Sequence, residues 1–209
     1  ESSPDPSVRY YFALLGMAAG MGMVFACHAV KNTQASSTPV GGRVSLAGIA
    51  RWKVLFGVLV GAWVCELVSL LLLAAFMRWV CGVDFGSRGP LVVVALAVCA
   101  LAACAIGSLF GTLGRLGRGS LLSALTALLS LFTGLYGTAS QRLADAIEAS
   151  LPLACHVNPL WQMAHAFFSL LYYDTLEPFA MSCLALLGTS VAFFALALLR
   201  MRRIARVKL

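Results

Sequence analysis

Charge is what this sequence has least of. Of its 209 residues only 11% are Asp, Glu, Lys or Arg, against 61% hydrophobic, and mean hydropathy is +0.92. A soluble domain carries roughly 25% charged residues to cover its surface, so a globular fold in water is excluded. Strand-like alternation of apolar and polar residues is absent too, which argues against a membrane β-barrel. The seven cysteines form neither a CxxC pair nor a Cys/His metal spacing. Most of them lie inside apolar runs, where a free thiol behaves as a small hydrophobe. Cys81 and Cys155 alone are placed near an outer face, and a disulfide between them is the less favoured of two readings.

What is present are long apolar runs. About 20 such residues cross roughly 30 Å of hydrocarbon as a helix, and lipid obliges each run to close its own backbone hydrogen bonds. Five spans are expected, at about 10–30, 54–77, 90–112, 120–137 and 178–200, in a single transmembrane domain covering 1–209. The basic residues Lys31, Arg43, Arg51, Lys53, Arg115, Arg118, Arg200, Arg202, Arg203, Arg206 and Lys208 all fall on one side of these spans. The acids Glu1, Asp5, Asp84, Asp145, Glu148, Asp174 and Glu177 fall on the other. The positive-inside rule then places the C-terminus in the cytoplasm and the N-terminus outside a plasma (inner) membrane. Because the net charge of +7 is spent on topology, no nucleic-acid partner is expected. An outside start without a signal-peptide pattern leads us to expect a further span upstream of Glu1, with a processed signal peptide as the lesser alternative.

Two segments are not simple spans. Residues 31–53 begin hydrophilic, and Arg43–Lys53 then mix basic and apolar positions at helical spacing, as an amphipathic helix at the inner interface would. Such a helix is either a surface anchor or a contact for a cytoplasmic partner. Residues 138–177 are outside yet apolar, broken by Pro152, Asn158 and Pro159. Two short re-entrant helices, at about 139–150 and 160–173, are expected there, forming a lid over a pathway, since irregular backbone at membrane depth must be covered by protein or water.

Glu66 is the sole acid within a span. Intramembrane carboxylates are costly and face the bundle interior or a water-filled cavity, so Glu66 is the candidate for the substrate path. Its ordinary explanation is pairing with Ser, Thr or backbone groups between helices. His28 is expected at the interface, and His156 and His165 lack a third ligand at metal spacing, so no metal site is assigned. Gly16-x-x-x-Gly20 marks close helix packing. Gly111–Ser120 is rich in glycine but lacks the lysine of a phosphate loop. No Gly-x-Ser-x-Gly element and no paired intramembrane acids are present, so no catalytic residue is assigned.

Three stretches resemble the permease subunits of ABC-2 type transporters, bacterial exporters whose fold is similar to that of the ABCG half-transporters. Arg43–Gly57 (RVSLAGIARWKVLFG) resembles the family stretch L-x-P-[IV]-S-R-W-[RK]-x-L-x-G-K, where a coupling helix leads into a span. Gly107–Gly119 (GSLFGTLGRLGRG) is similar to the span ending G-x-L-x-G-x-L-x-R, and Phe132–Thr133–Gly134 to the "S-G" closing the next span. Leu151–Phe168 (LPLACHVNPLWQMAHAFF) is similar to P-x-x-x-x-x-N-P-[LF] before the final span. The chain departs from the pattern where Gly48–Ile49–Ala50–Arg51 replaces Pro-[IV]-Ser-Arg, and no acid precedes the coupling helix.

The resemblance implies an all-α polytopic bundle of six spans, five of them visible, with an interfacial coupling helix and short re-entrant helices. It implies an exporter permease paired with a second permease copy or homologue, in membrane lipid. Cytoplasmic ATPase subunits would dock around Arg43, Ile49, Arg51, Trp52 and Lys53. No cofactor is expected on this chain; ATP and Mg would sit on the partner ATPase. Asn158 and Pro159 would mark the re-entrant outer segment. The alternative function is a membrane assembly or sensor subunit that does not transport.

Overall fold

The computed structural model describes residues 6–34, 38–83, 88–114, 119–133, 142, 146, 150, 157–173 and 175–206. They form helices and turns, with no strand among them. The helices are α1 (Pro6–Asn32), α2 (Pro39–Leu46), α3 (Arg51–Trp79), α4 (Gly89–Gly111), α5 (Gly119–Ser130), α6 (Pro159–Tyr172) and α7 (Glu177–Arg206), with a 3-10 turn at Leu131–Thr133 after α5.

Four of these helices, α1, α3, α4 and α7, are long and apolar enough to cross a membrane. They coincide with four of the five expected spans. The fifth, expected over 120–137, differs: α5 has 12 residues, or roughly 18 Å at 1.5 Å per residue, short of a crossing by itself. Residues 134–141 lie outside the described residues.

α4 is the centre of the bundle, packed along α1 and against α7 and α3. Its composition explains this. Ala95, Cys99, Ala100, Ala102, Ala103, Cys104, Ala105 and Gly107 are all buried, and small side chains let neighbouring backbones approach closely where no hydrophobic effect drives association. At Gly107 a Cβ would run into the carbonyl of Met23, so α1 and α4 touch backbone to backbone. The Gly16/Gly20 face of α1 does the same work elsewhere. Gly16 lies against the backbone of Ala164 in α6, and Gly20 against Leu160 of α6 and Thr126 of α5.

These contacts also set directions. Gly119 of α5 meets His28, and Thr126 meets Gly20, so α5 runs antiparallel to α1 over its basic half. α6 takes up where that coverage ends: Leu160 meets Gly20, Ala164 meets Gly16, and Phe167 stacks on Phe12 with centroids 6.0 Å apart. Two short helices thus cover one side of α1 between them. Their junction is tied by Asn158, which caps α6 by accepting from the Leu160 N–H (3.0 Å) and donates through Nδ2 to the Leu129 carbonyl (3.2 Å).

Most buried hydroxyls among the described residues are satisfied locally. Ser108, Thr126, Ser169 and Ser190 each donate to a carbonyl three or four residues back in their own helix, the arrangement that costs least where no water competes. Trp63 of α3 instead reaches across, donating from Nε1 to the Ala97 carbonyl of α4 at 2.9 Å.

Candidate functional site

Lys31, Arg43, Arg51, Lys53, Arg200 and Arg202 gather at one end of the bundle. There the last turns of α1, α4 and α7 meet the first turns of α3, around Val30, Leu55, Ala197 and Met201. The last carbonyls of α4 carry the negative end of its dipole and are held from two sides. Gln34 Nε2 donates to the Gly111 carbonyl at 2.8 Å, and Arg200 Nε to the Thr112 carbonyl at 3.3 Å. At the opposite end Arg88 repeats the device on α6, donating to the carbonyls of Leu170 (3.2 Å) and Tyr173 (2.7 Å).

An elbow projects from the basic end. Thr38 builds it: its hydroxyl donates to the Asn32 carbonyl of α1 (2.7 Å) and accepts from the Gly41 N–H (3.0 Å), capping α2. Pro39 supplies the first turn, a position that needs no N–H. Gly48, at φ 64°, ends the helix in the left-handed conformation that glycine adopts without strain. The amphipathic helix expected within Arg43–Lys53 is therefore shifted: the helix is Pro39–Leu46, and Arg51, Trp52 and Lys53 open α3. Capping at Thr38 and the stop at Gly48 outweigh the basic-apolar pattern that continues past them.

α2 packs on α1, and its outer face carries the exposed Val40, Arg43 and Leu46. Ile49, Arg51, Trp52 and Lys53 follow, also exposed, with the Lys53 ammonium 5.7 Å from the Trp52 ring centroid. The structure thus brings Arg43, Ile49, Arg51, Trp52 and Lys53 onto one elbow, with Arg43 on α2, Ile49 in the link and Arg51, Trp52 and Lys53 on α3.

Glu66 lies in the middle of α3, half-buried, against the bare backbone of Gly22 in α1. Among the described residues Glu66 has no ion-pair partner. Asn158 and Pro159 open α6 deep in the bundle, Asn158 being 7% exposed. α6 is not a loosely attached surface helix: Leu160, Met163, Ala166 and Phe167 are fully buried in the core. Most of the other helix expected in this region, 139–150, lies outside the described residues, as does His156. His165 hydrogen-bonds Ser182 (Nδ1 to Oγ, 2.9 Å) and stacks on Trp161 with centroids 4.5 Å apart. Cys81 is free, and Cys155 is outside the described residues.

Four interhelical donors escaped the sequence: Gln34, Trp63, Arg88 and Arg200. The signal for Trp63 was its indole N–H within an apolar run, which must find an acceptor. Gln34 sits one turn beyond an apolar run and Arg200 directly after one, where side chains reach neighbouring helix ends.

This bundle, with α2 standing off its basic end, carries the three stretches that resemble ABC-2 permeases. A family model described as ABC-2 family transporter protein matches residues 1–199. The chain belongs to this family. It is the membrane component of a transporter, and nearly its whole length is accounted for by the match. No curated protein and no solved structure matches it.

Proposed function

We propose that this chain is the permease subunit of an ATP-driven ABC-2 exporter, lining the substrate path and taking its drive from a separate cytoplasmic ATPase. The observation that carries the proposal is the family match over residues 1–199. The α2 elbow supports it: a short helix, capped at both ends, presents Val40, Arg43 and Leu46 away from the bundle. Exposed apolar side chains beside an arginine suit an acidic, partly apolar protein surface. Thr38 ties α2 directly to the last turn of α1, so a displacement of α2 is passed to the helix that contacts α3, α4, α5 and α6.

ATP binding in the partner shifts the permease between inward- and outward-open states only if the partner binds those states with different affinity. In this reading the basic end is cytoplasmic, a second permease copy or homologue completes the path, and α6 is the re-entrant element under an outer lid. Glu66 faces the path, where a carboxylate held against Gly22 has room to meet cargo or a proton.

The test is charge reversal at the elbow. Arg43→Glu in the native complex is expected to release the ATPase during purification and to abolish export, with the permease melting temperature unchanged. Retention of both ATPase and export would remove Arg43 from the contact.

A further inference from the structure

At the basic end, beneath the elbow, a cavity of about 360 Å³ opens between the start of α3 and the last turns of α7. Its polar wall is made by Arg51 and Arg202, its apolar wall by Ile49, Leu198 and Met201, with Trp52 at the rim. Both arginines are exposed, and Met201 is buried. Two like charges share one cavity, and among the described residues nothing neutralises them. Segments 31–53, 112–119 and 198–209 contain no Asp or Glu, and among the described residues neither guanidinium has an ion-pair partner.

The depth of the cavity is fixed by the helices that build it. Arg51 stands three residues before the apolar run of α3 begins at Val54, and Arg202 three residues after the run of α7 ends at Leu199. Both therefore lie at the boundary between hydrocarbon and headgroups, where Trp52 also partitions. α3 starts without a side-chain cap; the Lys53 N–H turns back to the Ala50 carbonyl, which leaves those of Arg51 and Trp52 to meet an anion. On the hydrocarbon side, Phe56 and Leu199 are about half exposed and give an acyl chain an apolar track.

We infer that the cavity between Arg51 and Arg202 holds the phosphate of an acidic phospholipid headgroup. Arginine suits this task because its planar fork binds phosphate oxygens two at a time, and basic pockets between helices on the cytoplasmic side take anionic headgroups. An acidic side chain of a protein partner offers similar charge, but it would have to descend to the membrane surface beneath the elbow. A lipid headgroup lies at that depth in any bilayer.

The experiment uses the full-length protein with its co-purifying chains, in nanodiscs of phosphatidylcholine containing graded phosphatidylglycerol. Phosphatidylglycerol retained through a detergent wash is read by native mass spectrometry. Wild type and Arg43→Gln are expected to retain it alike, and the pair Arg51→Gln/Arg202→Gln to bind it roughly 30-fold more weakly. The pair Arg51→Lys/Arg202→Lys keeps the charge and is expected to keep most of the retention; a melting curve on each sample verifies folding. Undiminished retention in the Gln pair, or a loss in the Lys pair as complete as in the Gln pair, would overturn the inference. So would displacement of the lipid by millimolar inorganic phosphate, which would make this a free-phosphate site. Loss of a protein partner with lipid retention intact would give the arginines to that partner instead.

Discussion

Glu66 of α3 rests on Gly22 of α1, so closely that a Cβ on Gly22 would lie 2.8 Å from the Glu66 carboxyl carbon. The one acid within a span is accommodated because its neighbour has no side chain. Gly22→Ala must therefore move the carboxylate or separate α1 from α3. Overpacking of this kind costs about 1–3 kcal/mol, and the far end of a flexible Glu can yield, so the lower part of that range is expected. The measurement is the thermal midpoint of the purified protein beside that of Gly57→Ala, a helical site with open space around it, where the midpoint is expected to hold or rise slightly.

Glu66→Gln separates chemistry from packing. The two side chains are close to isosteric, so the melting temperature is expected to hold while export falls. Export at the wild-type level would assign Glu66 to packing alone.

The close approach of α1 and α4 at Gly107 gives a stronger prediction. A methyl there meets the Met23 carbonyl, and a backbone cannot swing aside as a side chain can. Gly107→Ala is expected at or above the upper part of the same 1–3 kcal/mol range, seen as a large drop in thermal midpoint or as failure to purify as a folded protein.

Asn158 performs two tasks that substitution separates. Asn158→Ala removes both the cap on Leu160 and the bond to Leu129, at about 1–2 kcal/mol for a lost cap together with the lost bridging bond. Asn158→Ser keeps the cap and gives up the reach to Leu129, so a smaller loss is expected. Equal losses in a melting experiment would mean that the cap contributes nothing.

The parts of the fold that the sequence displays are those set by the solvent. Long apolar runs made α1, α3, α4 and α7 legible, because lipid leaves such a run no choice but helix. The elbow was legible as a segment and misplaced in register, since a basic-apolar pattern says nothing of where Thr38 and Gly48 start and stop the helix. The pairing of α5 with α6 along α1 was not legible. It depends on Gly16 and Gly20 meeting Ala164, Leu160 and Thr126, partners more than 100 residues away in sequence. The glycine pattern announced a close contact without naming its other side. At the candidate site, Glu66 stood out by its charge, whereas Gly22 beneath it was one glycine among nineteen.

The source of drive proposed for this permease is an ATPase on another chain. Affinity purification of the full-length protein from its native membrane, in mild detergent and after gentle crosslinking, tests it most directly. A stoichiometric partner carrying a phosphate loop is expected, lost on Arg43→Glu, with ATP hydrolysis in the wild-type eluate. A folded, correctly inserted permease that brings down no ATPase, with or without crosslinking, would contradict it.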